Sequence, residues 1–145
     1  MVARIGRRVG VAMALFLLPT LAAYACIFTY VLIGPDESNE IRSGATATVR
    51  AGEVYRIEIA MRENHNNCDL EADDTMFLLE EGRWRVGRET QPLVLRSEIE
   101  WERTGSRSYT TAIEFLAAEI GTWTIDVVRE CHRGGCHEWI AIETR

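Results

Sequence analysis

Lysine is absent from this 145-residue chain, so all sixteen of its fixed cations are arginines. That bias reads as codon usage in a GC-rich, bacterial genome and carries no functional signal. No G-x-S-x-G elbow, phosphate-binding glycine loop or H-E-x-x-H pair occurs. The commonest hydrolase and nucleotide-binding signatures are therefore missing. There is no internal repeat and no low-complexity tract. Basic charge is outnumbered over most of the chain. Arg4, Arg7 and Arg8 are the only charges before Asp36, and the remainder holds 13 Arg against 22 Asp and Glu, a balance of −9 within a total of −6. Such a surface repels nucleic-acid phosphates and anionic lipid headgroups, so no nucleic-acid partner is expected.

Charge of either sign is also missing from residues 9–34. As a helix this run would be about 39 Å long, more than the ~30 Å hydrocarbon core of a bilayer. Arginines precede it, and Asp36, Glu37 and Glu40 follow it. The positive-inside rule then places the N-terminus in the cytoplasm and the rest outside. The expected organisation is a cytoplasmic N-terminus at 1–8, a transmembrane anchor at 9–33, a polar linker at 34–44 and an extracytoplasmic domain at 45–145. The lipid bilayer is accordingly the first expected partner. Two alternatives remain open. Ala23-Tyr24-Ala25 suits the end of a cleaved signal peptide. With Cys26 added, the same residues suit a lipoprotein box with Cys26 acylated. The apolar run continues through Ile33, which a mature chain starting at Cys26 would expose to water. That favours the uncleaved anchor, with Cys26 as a small apolar helix residue.

Beyond residue 44, apolar residues alternate with polar ones. Strands are predicted over 45–51, over 53–61 with Tyr55, Ile57, Ile59 and Met61 on one face, and over 75–79. More follow around Trp84 and Val86, over 93–101, over 109–115, over 123–127 and over 139–142. Thr104-Gly105-Ser106 and residues 132–135 read as turns. Residues 114–120 could instead form a short helix, which period alone does not decide. About seven to eight short strands at this spacing predict a mainly β fold, a small antiparallel β-sandwich behind a transmembrane helix. Trp123 in Gly-Thr-Trp-Thr-Ile-Asp-Val resembles the late strand of bacterial extracytoplasmic β-sandwich modules. The stretch is too short to name a family.

Three cysteines fall outside the expected anchor: Cys68, Cys131 and Cys136. An extracytoplasmic compartment favours disulfides. Cys131 and Cys136 flank a turn, and opposed strand residues come close enough to bridge. That pairing leaves Cys68 over. The rival pairing joins Cys68 to Cys131 or Cys136. Cys131, His132, Cys136 and His137, with His65, are also zinc- or copper-type ligands, although strand neighbours point to opposite faces. The spacing C-x4-C-H is a rare variant of covalent haem attachment, but a tight glycine hairpin leaves little room, and no cofactor is expected. Asp69, Glu71 and Asp73 place oxygen donors at calcium-loop spacing, but Asp74 stands where the turn needs glycine.

The functional expectation is a membrane-anchored, non-enzymatic binding or interaction module with a protein partner in the cell envelope. The candidate contacts are the acidic loop 62–74 and the hairpin 131–136. The alternative is a metal- or redox-linked envelope protein using Cys131–His137.

Overall fold

Period-two alternation from Val54 to Glu63 turns Tyr55, Ile57, Ile59, Met61 and Glu63 inward, and all five are buried. The same rule operates along the chain. The computed structural model describes residues 26–64, 68–80, 82–131 and 134–145. Among them are eleven strands: β1 Cys26–Ile33, β2 Ser38–Ile41, β3 Thr46–Val49, β4 Val54–Glu63, β5 Met76–Leu79, β6 Gly82–Arg83, β7 Leu93–Leu95, β8 Glu102–Gly105, β9 Ser108–Ala117, β10 Gly121–Arg129 and β11 Cys136–Thr144. A 3-10 turn covers Ala72–Asp74.

The strands form two sheets. One runs β2-β1-β4-β9-β7, with β8 also paired to β9, and the other runs β3-β11-β10-β5-β6. Pairing is antiparallel except between β3 and β11, which run parallel. The expected mainly β, two-sheet architecture is present, with one parallel pair in an otherwise antiparallel set. Residues 114–117 continue β9 and are not helical. Phe28, Tyr30, Ile57, Phe115, Ile125, Val127, Ile140 and Ile142 meet between the sheets.

The N-terminal boundary needs correction. Residues 26–33, expected at the end of a transmembrane helix, are strand β1, hydrogen-bonded between β2 and β4. Cys26, Phe28, Tyr30 and Leu32 are buried in the sandwich core. β1 carries apolar residues on its outward parity as well (Ile27, Val31 and Ile33), so it reads as an apolar run that hydropathy cannot separate from a membrane helix. Six of its eight residues are β-branched or aromatic, the composition that favours a pleated surface. The expected linker 34–44 likewise contributes β2. Among the described residues the sandwich thus includes β1 and β2, well ahead of the expected start at residue 45. Residues 9–25 of the expected anchor lie outside the described residues. Among the described residues no helix is long and apolar enough to cross a membrane.

Candidate functional site

Two inward positions at one end of the sandwich carry opposite charges. Glu63 ends β4 on the same face as Met61, and Arg129 ends β10 on the same face as Val127. They meet across the gap between the sheets, with Arg129 Nη2 2.6 Å from Glu63 Oε1. The Arg129 side chain is fully buried. An isolated charge there would be costly, so every contact that satisfies it matters.

The two Nη groups also reach into the loop after β4, while the buried Nε has no hydrogen-bond partner among the described residues. Nη1 donates to the Glu71 carbonyl at 2.7 Å and to Thr75 Oγ1 at 3.2 Å. Nη2 donates to the Leu70 carbonyl at 2.9 Å and lies 3.5 Å from Cys68 Sγ. The 3-10 turn adds its own brace, as the Glu71 N–H donates to Asp74 Oδ2 at 2.9 Å. One buried cation therefore holds the loop through main-chain oxygens, independent of its side-chain sequence. From the other side, Cys131 Sγ approaches Asp69 Oδ1 at 3.7 Å. The acidic loop and the β10–β11 hairpin, the two contacts expected from sequence, are thus one joined tip.

The hairpin has a tighter turn than the sequence suggested. Arg129 is the cross-strand partner of Cys136. Beyond them the Gly134 N–H donates to the Cys131 carbonyl at 3.0 Å. Cys131 and Cys136 are therefore not opposed, which corrects the expected hairpin bridge. Instead Cys26 and Cys136, the cross-strand neighbours of the Glu63–Arg129 pair, face one another in the core, and the Cys68 and Cys131 sulfurs lie within 4.8 Å of each other. All four are free cysteines in this structure. Hydrogen bonding to Cys26 and then burial push the Cys136 thiol well up. Burial also raises Cys68, partly offset by the Leu70 backbone and by Arg129. The glycines have a steric role here. Gly134 has φ +110°, and a Cβ on Gly135 would collide with the Arg129 carbonyl oxygen.

The expected metal set does not assemble. Cys136 faces the core, while His137 lies exposed on the outer face, its Nε2 2.7 Å from Asp126 Oδ1. His65 and His132 lie outside the described residues. Cys68, Asp69 and Cys131 do converge, with one donor atom from each within 4.8 Å of the others. Thiolates and a carboxylate are donors that zinc accepts. The fit fails on charge, because the Arg129 guanidinium lies 3.5 Å from Cys68 Sγ and would repel a divalent ion there. The calcium-type set also disperses: Asp69 sits at the thiols, while Glu71 and Asp73 are exposed around the 3-10 turn.

Beside Cys136 on β11, Glu138 accepts a hydrogen bond from the Tyr30 hydroxyl at 3.1 Å. Burial raises the Glu138 carboxyl above its ordinary range, partly offset by hydrogen bonds from Tyr30 and Ser43. A second concave surface lies on the outer face of the first sheet. It is a groove of about 410 Å³ lined by Thr29, Val31, Glu58, Ala60, Glu100 and Glu102 among others.

Glu63 and Arg129 were not singled out as a pair from sequence. A signal existed: each is a charge on the inward parity of a strand, and the two have opposite signs.

No protein-family model matches the chain, and no curated protein matches it significantly. Some solved structures are similar in outline. Titin M4 in a trigonal form is 12% identical at a TM-score of 0.41, covering 81% of this chain and 96% of that one. Titin domain M7 is 11% identical at 0.41, covering 82% and 97%. Domains 4 and 5 of the S-layer protein SbsC are 8% identical at 0.36, covering 88% and 80%. Likenesses at this level carry no argument about family or function.

Proposed function

We propose that the chain is a non-enzymatic binding module of the cell envelope, working outside the cytoplasm through the tip formed by loop 62–74 and hairpin 131–136. The observation that carries this reading is the Arg129 brace. A long polar loop is ordinarily mobile, yet this one is anchored from beneath by a buried guanidinium on two of its carbonyls. Rigid support under an exposed loop is what a recognition surface needs. The tip presents Glu71 and Asp73 to solvent, so a partner with a cationic contact surface is favoured.

Delivery across the membrane is assigned to residues 1–25. With 26–33 built into the sandwich, the uncharged stretch ahead of it is 9–25, about 26 Å as a helix and shorter than a ~30 Å bilayer core. Arg4, Arg7 and Arg8, that apolar stretch, and Ala23-Tyr24-Ala25 directly before β1 suit the three parts of a secretory signal. The exposure of Ile27–Ile33, which argued against cleavage, is much reduced, because Phe28, Tyr30 and Leu32 are buried in the core and only Ile27 stays exposed among its apolar residues. An acylated Cys26 suits the fold poorly, because its sulfur is buried and turned towards Cys136.

Photo-crosslinking in cells tests the contact surface. A probe at Asp73 is expected to give a discrete adduct, and one at Glu119, in the turn at the opposite end, is not. Equal adducts at both positions, or none at Asp73, would defeat the tip as the binding surface. Fractionation with N-terminal sequencing tests delivery. A mature chain beginning at Cys26 marks a cleaved signal, an intact membrane-bound chain marks a short anchor, and a cytosolic product overturns the placement.

A further inference from the structure

We propose that the four cysteines form two disulfides, Cys26–Cys136 across the core and Cys68–Cys131 at the tip, so that no thiol is left over. The sequence alone offered three extracytoplasmic cysteines and hence an odd one. Placing Cys26 in the sandwich restores an even number.

The inner pair follows from strand register. Cys26 is the cross-strand partner of Glu63 in the first sheet, and Cys136 is the cross-strand partner of Arg129 in the second. Glu63 and Arg129 span the gap between the sheets at 2.6 Å. Their two neighbours, Cys26 and Cys136, are therefore brought face to face at the same level, both turned inward and both buried. The outer pair rests on a separate contact. The Cys68 and Cys131 sulfurs lie within 4.8 Å of each other. A small rotation about each χ1 closes such a distance to a bond of ~2.05 Å. Arg129 beside Cys68 turns this site away from a metal cation, but a neutral disulfide carries no such conflict.

Each bridge joins two sulfurs with loss of two protons and two electrons. The electrons pass to a disulfide-bonded oxidant, either a disulfide-donating protein of the envelope, which leaves as its dithiol, or oxidised glutathione, which leaves as two glutathione thiols. One thiolate attacks the oxidant to give a mixed disulfide, and the second displaces the reduced oxidant. Cys68 is partly exposed and can take the first step in the folded protein, with Cys131 resolving it. Cys26 is 0% exposed and Cys136 6%, so their bridge must form before the sheets close. The geometry stands on its own, and only the supply of oxidant in the cell rests on the extracytoplasmic placement proposed above.

The bridges would differ in reducibility. Mild dithiothreitol under native conditions should open Cys68–Cys131 alone. Opening the buried bridge should require denaturant and lower the melting temperature by roughly 10 °C or more, because it closes nearly the whole domain.

The test is peptide mapping without reduction, on the full chain recovered from cells and on the same chain refolded with oxidised glutathione. Trypsin cuts after Arg129 and Arg133, so Cys131 and Cys136 lie on different peptides. Linked peptides joining residue 26 to 136 and residue 68 to 131 in the refolded chain support the pairing. A 131–136 link, scrambled links or four free thiols after that refolding would overturn it. Correct links in the refolded chain with four free thiols in the cellular one support the pairing while defeating the extracytoplasmic reading.

Discussion

Arg129 and Glu63 stand opposite each other across the sandwich, 2.6 Å apart, and the same guanidinium holds the carbonyls of Leu70 and Glu71. One side chain therefore links both sheets to the tip loop. Removing one partner of a buried ion pair strands the other. Arg129→Met or Glu63→Leu alone is expected to cost about 3–5 kcal/mol in urea denaturation. The double replacement should cost less than Arg129→Met, because no charge is left buried. It should still speed amide exchange in loop 68–75, whose carbonyls have lost their donor. A double variant as unstable as the sum of the two singles would refute the coupling.

The hairpin tolerates no side chain at Gly135, where a Cβ would collide with the Arg129 carbonyl oxygen. Gly135→Ala must shift the backbone of β10 or β11. We expect a loss of about 1–3 kcal/mol, read as a lower urea midpoint, together with perturbed amide signals at Cys131 and Cys136. An unchanged midpoint would mean that the hairpin is looser than described.

Glu138 carries a pH signature. Its carboxyl is raised above the ordinary 4.5 by burial, so the folded chain binds that proton more tightly than the unfolded one. Its contribution to stability is fully present below pH 4.5 and is lost as pH rises through the folded value. Glu138→Gln keeps an acceptor for the Tyr30 hydroxyl and cannot ionise. Relative to the unaltered chain, the variant should gain stability between pH 4 and pH 7 in thermal melts. A constant difference over that range would remove Glu138 as the source.

The domain boundary is testable by truncation. A chain of residues 26–145 retains every described strand and should fold cooperatively. A chain of residues 45–145, the boundary expected from sequence, lacks β1 and β2. Losing Phe28 and Leu32 alone forfeits roughly 3–6 kcal/mol of burial, against a typical stability of about 5–15 kcal/mol. It also opens the edge of β4. The shorter chain is expected to be unfolded or aggregated by circular dichroism and light scattering, and a cooperative melt from it would restore the later boundary.

Much of the fold was readable as period. The inward sets of β4, β9 and β10 alternate cleanly, while the turn between β8 and β9 falls at Ser106-Arg107, two residues beyond the start of the expected Thr104-Gly105-Ser106. The candidate site was readable only in pieces. Loop 62–74 and hairpin 131–136 were each visible, but nothing in their spacing says that they touch. Cys136 and His137 are adjacent in the chain and point to opposite faces, so a ligand set read from proximity in sequence dissolved in three dimensions.

Charge balance, the uncharged run at 9–34 and the strand periods were determined by composition and order along the chain, because they depend on each residue and its near neighbours. The identity of 26–33 as strand, the parallel pairing of β3 with β11, the Glu63–Arg129 contact and the choice of cysteine neighbours were decided only by tertiary structure. Each of these depends on which strand lies beside or across from which. Hydropathy alone does not separate a lipid-embedded segment from a core strand, and the two strands flanking β1 decide between them.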